Sequence, residues 1–204
     1  CLVKIVIRAL WASLISLFLL GSLTAFSADA PGKKKQSSYD LMSAENKAMQ
    51  DDSSLNPAMF WVNDGQTLWQ EKLGPKNTAC ASCHGDVKKS MRGVAAQFPK
   101  VIKGKLQTLE GQINACRTNT QEAPKLAYES KELLALTALI ALQSKGMPIS
   151  VQKTTLNAPF LSQGQDWFNK RMGQLNLSCA QCHEDRAGLR LGGSLIPQGH
   201  PNAY

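Results

Sequence analysis

The chain contains 204 residues, of which 43% are hydrophobic and 19% are charged. This composition is typical of a globular protein, and it excludes a mainly disordered, collagenous or polytopic membrane protein. The length suits one ordinary domain or two small ones. The net charge of +8 is spread along the chain without a basic stripe that alternates with aromatic residues. The charge therefore favours an anionic small molecule or an acidic protein partner over nucleic acid.

The first thirty residues have the organisation of a secretory signal peptide. Lys4 and Arg8 precede an uncharged apolar run over residues 9–20, and small residues follow up to Ala30. We therefore predict a signal peptide over residues 1–30, whose removal on export leaves no membrane attachment. A retained membrane anchor is the alternative, because the absence of charge extends well beyond the apolar run.

A polar segment over residues 31–56 comes next. It contains a run of three lysines at 33–35 and few apolar residues, which is typical of an arm or linker and not of a core. We expect this segment to be the least ordered part of the exported chain.

A sequence repeat follows the polar segment. Residues 65–86 align with residues 164–185 without a gap, and nine of the 22 positions are identical. Each copy has a short amphipathic stretch followed by a glycine, Gly74 or Gly173. This pattern predicts a short helix that ends at the glycine in each copy. The repeat as a whole predicts two copies of one small domain.

Two more helices are predicted between the copies. Ser130 can cap a helix that has Lys145 in its last turn and ends at Gly146. A second helical stretch begins at Thr108 and places Cys116 on its apolar face. No run of strict alternation is long enough for a sheet, so the fold class is predicted as all-α with long loops.

Two complete C-x-x-C-H motifs lie in the repeat, CASCH at 80–84 and CAQCH at 179–183. Two thiols on one helical turn can form thioethers with one porphyrin, while the following imidazole binds its iron. A thioredoxin-like pair or part of a zinc site would leave both histidines unexplained. We therefore predict two covalently bound haem c groups, with thioether links at Cys80, Cys83, Cys179 and Cys182 and iron ligation by His84 and His183.

The haem motifs make the repeat a prediction of two cytochrome c-like domains. The first is predicted over residues 57–148 and the second over residues 149–204. The second is expected to be truncated, because the sequence offers it no closing helix.

Cys116 is the candidate for the other axial ligand of the first haem. Small helical cytochromes usually supply a methionine there, but Met91 lies only seven residues after His84 and Met147 lies beyond the closing helix. Cys116 lies where the ligand is expected, and the neighbouring Arg117 can offset the charge of a thiolate. A buried small hydrophobe, or half of a disulfide, is the alternative for Cys116.

The second haem has no obvious distal ligand in the sequence. Only 21 residues follow His183, and they contain neither methionine nor cysteine. One candidate is His200, which lies between a glycine and a proline. The other explanation, which we favour, is that the sequence stops before the ligand.

Together these residues resemble the dihaem SoxA cytochromes of bacterial sulfur oxidation. The similarity covers about residues 40–204 and rests on the segments CASCHG, GQINACR, ALTALIALQSKGMPI, GQLNLSCAQCHEDRAGLRLGG and IPQGHP. The resemblance implies that Cys116 is a thiolate ligand of the first haem iron. It also implies a catalytic cysteine on the second haem iron, which is expected beyond Tyr204.

The same resemblance implies a periplasmic heterodimer with the monohaem cytochrome SoxX. Such a complex is an enzyme, an L-cysteine S-thiosulfotransferase. It joins thiosulfate to a cysteine of the carrier protein SoxYZ and passes two electrons to a cytochrome acceptor. Two other functions stay open: a dihaem electron-transfer cytochrome without sulfur chemistry, and a dihaem peroxidase, which needs an open iron face.

Overall fold

The computed structural model describes residues 37–198. All of them belong to the second of two compact units of the chain, which spans Gln36–Tyr204. The predicted signal peptide over residues 1–30 and the candidate ligand His200 lie outside the described residues. No helix within the described range is long and apolar enough to cross a membrane.

The polar segment contains more regular structure than the sequence predicts. A 3-10 turn spans Ser38–Leu41 and helix α1 spans Ala44–Asp51. The Ser43 hydroxyl accepts a hydrogen bond from the Asn46 amide at 3.3 Å, and Glu45 lies in the first turn. Both features favour a helix start. None of the residues of α1 is buried, so the segment is a helical arm outside the core.

Two long helices form the core of the first half. Helix α2 spans Ala58–Gln70 and helix α6 spans Lys131–Leu142, and they share the most extensive helix contact of the described chain. Gly65 allows this close approach, because a Cβ atom added there would lie 2.3 Å from the Ala135 carbonyl oxygen. Three shorter helices lie between them: α3 (Cys80–His84), α4 (Val87–Ser90) and α5 (Leu109–Asn119). The buried cluster consists of Val62, Trp69, Val87, Met91, Leu139 and Ile140.

Helix α6 begins as predicted but ends early. The Ser130 hydroxyl accepts a hydrogen bond from the Leu133 amide at 3.3 Å. The helix ends at Leu142, so Lys145 lies in the turn that follows it and not in its last turn. The amides of residues 143–145 bond to carbonyls three residues back, which is the tighter 3-10 pattern common at helix ends.

The all-α prediction needs a correction, because the described residues contain two short antiparallel hairpins. Strands β1 (Lys100–Ile102) and β2 (Lys105–Gln107) form the first, and β3 (Arg190–Leu191) and β4 (Ser194–Leu195) form the second. Strands of two or three residues are too short to show alternation. The Lys103-Gly104 turn of the first hairpin has φ of +50° and +73°, the conformation that a two-residue hairpin loop requires. The fold is therefore helix-rich with two small hairpins.

The second half has two described helices. Helix α7 spans Ala158–Asn169 and packs against helix α8, which spans Cys179–His183. In contrast to α2, helix α7 buries none of its residues. The first and second halves are joined by the segment after α6, where the Ser150 amide donates to the Ala96 carbonyl at 2.8 Å.

Both helices predicted before the haem motifs are present, but neither ends at its glycine. Helix α2 ends four residues before Gly74, and α7 ends four residues before Gly173. The chain becomes extended at Glu71 and at Lys170, with ψ of 124° and 125°. This change ends each helix, and the glycine lies in the turn that follows.

Candidate functional site

The same turn carries the chain from each long helix to each haem motif. In the first copy Leu73 pairs with Thr78, and Gly74 and Asn77 have φ of +69° and +47°. Glycine adopts positive φ without steric cost and asparagine tolerates it, which explains why both identities recur in the repeat. The second copy has the same bridge and almost the same angles at Met172 with Leu177, Gly173 (+71°) and Asn176 (+47°).

Helix α3 carries the first haem motif and is held at both ends. At its start the Ala79 amide donates to the Ser82 hydroxyl at 3.1 Å. At its end the Trp69 indole N–H donates to the Gly85 carbonyl at 3.0 Å. Trp69 is only 2% exposed, and its ring centroid is 5.8 Å from that of His84. A buried tryptophan of α2 therefore fixes the position of the motif and of its imidazole.

One cavity brings together the residues predicted to bind the first haem. It has a volume of about 480 Å³, and Cys80, Cys83, His84 and Cys116 all line it. Most of the remaining lining is apolar and includes Val94, Phe98, Leu109, Ile113, Leu136 and Ile140. The volume and the apolar lining are typical of cofactor pockets. A thiol pair, an imidazole and an apolar enclosure together fit a covalently held haem.

Cys116 lies within electrostatic reach of the Cys80 thiol. Burial raises the pKa of the Cys80 thiol, and the charge of Cys116 raises it further. Arg117 acts in the opposite direction on the same pKa, as a cation does when it stabilises a thiolate. The pattern of helix α5, which begins after Thr108 as predicted, thus brings a third cysteine to the cavity.

The methionines considered as alternatives are in different positions. Met91 is buried and lines the cavity. Met147 does not line it, and its sulfur faces Gly93 instead.

Helix α8 carries the second haem motif. One contact of its histidine indicates which ring nitrogen donates a hydrogen bond. The His183 Nδ1 atom lies 3.0 Å from the Pro197 carbonyl oxygen. A carbonyl can only accept, so Nδ1 is the donor in this contact, and in the neutral ring this leaves Nε2 as the nitrogen that can bind a metal. Ser178 and Gln181 form a reciprocal cap at the start of the helix. The second motif lies outside the cavity of the first, whose lining runs from Trp69 to Ile140.

Sequence reasoning missed two contacts of the first site. The Trp69 hydrogen bond to Gly85 joins residues sixteen positions apart, and no local pattern indicates it. Gln112 donates from Nε2 to the Cys116 sulfur at 3.3 Å. The sequence does indicate this second contact, because residues four apart lie on the same face of a helix.

Comparison with known proteins shows what the chain is similar to. Residues 64–149 match the family described as SoxA/TsdA, cytochrome c domain. The L-cysteine S-thiosulfotransferase subunit SoxA of Rhodovulum sulfidophilum is 35% identical over 83% of this chain and 60% of that protein. The protein of the same name from Paracoccus pantotrophus is 34% identical over 82% of this chain and 58% of that protein. The chain is therefore similar to SoxA subunits over most of its length.

A solved structure agrees with this assignment. The crystal structure of SoxXA from P. pantotrophus matches with a TM-score of 0.76 and 34% identity, over 81% of this chain and 63% of that chain. The predicted resemblance to SoxA and the cytochrome c fold are thereby confirmed. A cytochrome c domain implies covalently bound haem c. The chain spans about 60% of the length of the SoxA relatives named here.

Proposed function

We propose that this protein is the dihaem SoxA subunit of an L-cysteine S-thiosulfotransferase. The observation that carries the proposal is the convergence of Cys80, Cys83, His84 and Cys116 on one apolar cavity, in a chain that is similar to SoxA subunits over more than four fifths of its length. A haem held there supplies one-electron redox chemistry. The two thiols would form the covalent links, and the His84 imidazole and the Cys116 thiolate would bind the iron.

The second haem site is proposed on the equivalence of the two motifs. Cys179 and Cys182 would supply the thioethers, and His183 would bind iron through Nε2. The repeated turn and the proton on Nδ1 support this assignment. Residues 149–204 would then belong to a second cytochrome c-like domain that follows a first one over residues 57–148.

The proposed reaction joins thiosulfate to a cysteine thiol of the carrier SoxYZ. One S–S bond forms, the thiol loses its proton, and the two electrons released reduce a cytochrome acceptor, a transfer that haem held by this chain would support. The proposed assembly is a heterodimer with the monohaem cytochrome SoxX, in the periplasm after removal of a signal peptide over residues 1–30. The net charge of +8 suits anionic thiosulfate and an acidic partner.

The haem content is tested by intact mass after expression with a cytochrome c maturation system. We expect two haems on the chain. The variant Cys80→Ala/Cys83→Ala and the matched variant Cys179→Ala/Cys182→Ala should each retain one haem. If the wild-type chain carries one haem, and one of the paired variants changes nothing, the dihaem proposal is wrong.

The activity is tested with the SoxX-type partner, thiosulfate, the carrier and an oxidised cytochrome acceptor. We expect the carrier to gain a thiosulfate-derived group while the acceptor is reduced. His183→Ala should abolish both effects if the second haem is the reaction centre, with the haem content checked in parallel. Acceptor reduction without modification of the carrier would favour a plain electron-transfer cytochrome.

A further inference from the structure

Gln112 is a polar residue of the first site that the proposed function does not use. It lies on helix α5 four residues before Cys116, and its Nε2 atom lies 3.3 Å from the Cys116 sulfur. Both side chains line the cavity. We infer that Gln112 positions the Cys116 thiolate and sets the reduction potential of the first haem by donating a hydrogen bond to its sulfur. This inference rests on the proposed ligation by Cys116.

The backbone holds Gln112 in register for this contact. The Thr108 hydroxyl caps α5 by accepting from the Gly111 amide at 3.1 Å, and the Gln112 amide donates to the Thr108 carbonyl at 3.0 Å. Residues four apart lie on one face of a helix. The first turn of α5 therefore directs the Gln112 side chain along the helix towards the cysteine.

The neighbouring cation, Arg117, lines the cavity but donates no hydrogen bond to the Cys116 sulfur within the described residues. Arg117 donates from Nε to the Pro124 carbonyl at 2.6 Å. Within residues 37–198, Gln112 supplies the hydrogen bond found at the Cys116 sulfur. Gln112 is therefore the residue whose loss changes the immediate surroundings of that sulfur.

The chemical effect of the contact has a definite sign. A donor to a thiolate withdraws electron density from the sulfur and weakens its donation to the metal. Weaker donation disfavours the ferric state, and hydrogen bonding around a ligand is a recognised means of tuning a haem. Gln112 should therefore raise the reduction potential of the first haem relative to a cysteine without this donor.

The test uses the haem-loaded chain with Gln112→Leu and Gln112→Lys. Leucine removes the donor and lysine replaces it with a charged one, so the two variants should shift the potential in opposite directions. Gln112→Leu should favour the ferric form about tenfold, which is about 59 mV for a one-electron couple. If the role of Gln112 were purely structural, both substitutions would shift the reduction potential in the same direction.

The matched control is Gln143→Leu. Gln143 is also half-buried and also donates across four residues, from Nε2 to the Leu139 carbonyl at 2.8 Å. It does not line the cavity, so its variant should leave the potential unchanged.

Reduction potentials are measured by a redox titration in which electron paramagnetic resonance follows the low-spin ferric signal of each haem. The signal of the first haem is the one that Cys116→Met shifts. If Cys116→Met shifts no signal, the proposed ligation fails. If Cys116→Met does shift a signal, the proposed ligation stands. If Gln112→Leu then changes the ratio of ferric to ferrous haem by less than twofold, the proposed role of Gln112 is wrong. In the Cys116→Met background, Gln112→Leu should have little effect, because a thioether is a weak acceptor.

Discussion

The two halves of the chain have the same local structure but differ in what packs against it. Each has a long helix, an extended break, a turn with positive φ at glycine and asparagine, and a five-residue haem-motif helix. In the first half, helix α6 and the segment around Gln121 cover the helix and the turn. In the second half, nothing in the described chain takes their place. The repeat therefore encodes the shape of the motif, while burial depends on segments outside the repeat.

Two pairs of equivalent glycines record this difference. A Cβ atom on Gly65 or Gly74 would lie within 2.5 Å of a backbone oxygen, at 2.3 Å and 1.9 Å. At the equivalent positions, Gly164 and Gly173, such a Cβ would meet no heavy atom of the described residues within 4 Å, apart from its chain neighbours and the backbone of its own helix. Alanine substitutions at these positions test the comparison on the haem-loaded protein.

The largest difference is expected between Gly74→Ala and Gly173→Ala. Both substitutions place a side chain at positive φ, which costs about 1–2 kcal/mol. At Gly74 the overlap with the Gln121 carbonyl adds about 1–3 kcal/mol. Chemical denaturation should therefore show the greater loss of unfolding free energy for Gly74→Ala. Equal losses would mean that Gly173 is also covered, and the comparison would fail.

Gly65→Ala and Gly164→Ala, the pair within helices, should change the free energy of unfolding in opposite directions. Alanine is favoured over glycine inside a helix by about 1 kcal/mol, so Gly164→Ala should stabilise the protein by about that amount. At Gly65 the overlap with the Ala135 carbonyl outweighs this gain, and a net loss of about 1–2 kcal/mol is expected. Thermal unfolding of the two variants and of the wild type measures both changes in stability. Stabilisation by Gly65→Ala would contradict the close packing of α2 and α6.

A smaller effect is expected for Trp69→Phe, which gives the first half the residue found at the equivalent position 168. The variant loses the indole hydrogen bond to the Gly85 carbonyl, at a cost of about 1 kcal/mol. The reverse change, Phe168→Trp, places the larger ring where no buried core surrounds it, so the free energy of unfolding should hardly change. Unfolding free energies of both variants are compared with wild type. If both cost the same, the two aromatic positions are equally buried and the contrast between the halves disappears.

Much of the first site could be predicted from sequence because its signals are local. The C-x-x-C-H spacing, the Thr108 and Ser130 caps and the apolar face that carries Cys116 all depend on residues within a few positions of each other. The structure brings Cys116 to the same cavity as His84, as the helix pattern predicts. Its role as an iron ligand stays a prediction.

The features that sequence reasoning missed depend on distant contacts or on very short elements. No pattern links Trp69 to Gly85, because the tryptophan contacts the end of a helix that the chain reaches only after a turn. The hairpins escaped detection because two- and three-residue strands cannot show alternation, although the Lys103-Gly104 and Gly192-Gly193 pairs were available as turn signals. The end of each long helix was misplaced because a break in ψ at Glu71 and Lys170 precedes the glycine.

The separation of α2 and α6 along the chain has a consequence for the order of events during maturation. The two helices form the core of the first half only when they meet, and residues 71–130 lie between them with the two thiols of α3. Docking of α6 therefore closes a long loop around the thiols, a step that is slow because the contact is non-local. Until then Cys80 is more accessible than in the folded chain, where it is half-buried, whereas Cys83 is exposed even in the folded chain. We expect covalent attachment to precede docking, so that α6 completes the core around a cofactor already in place.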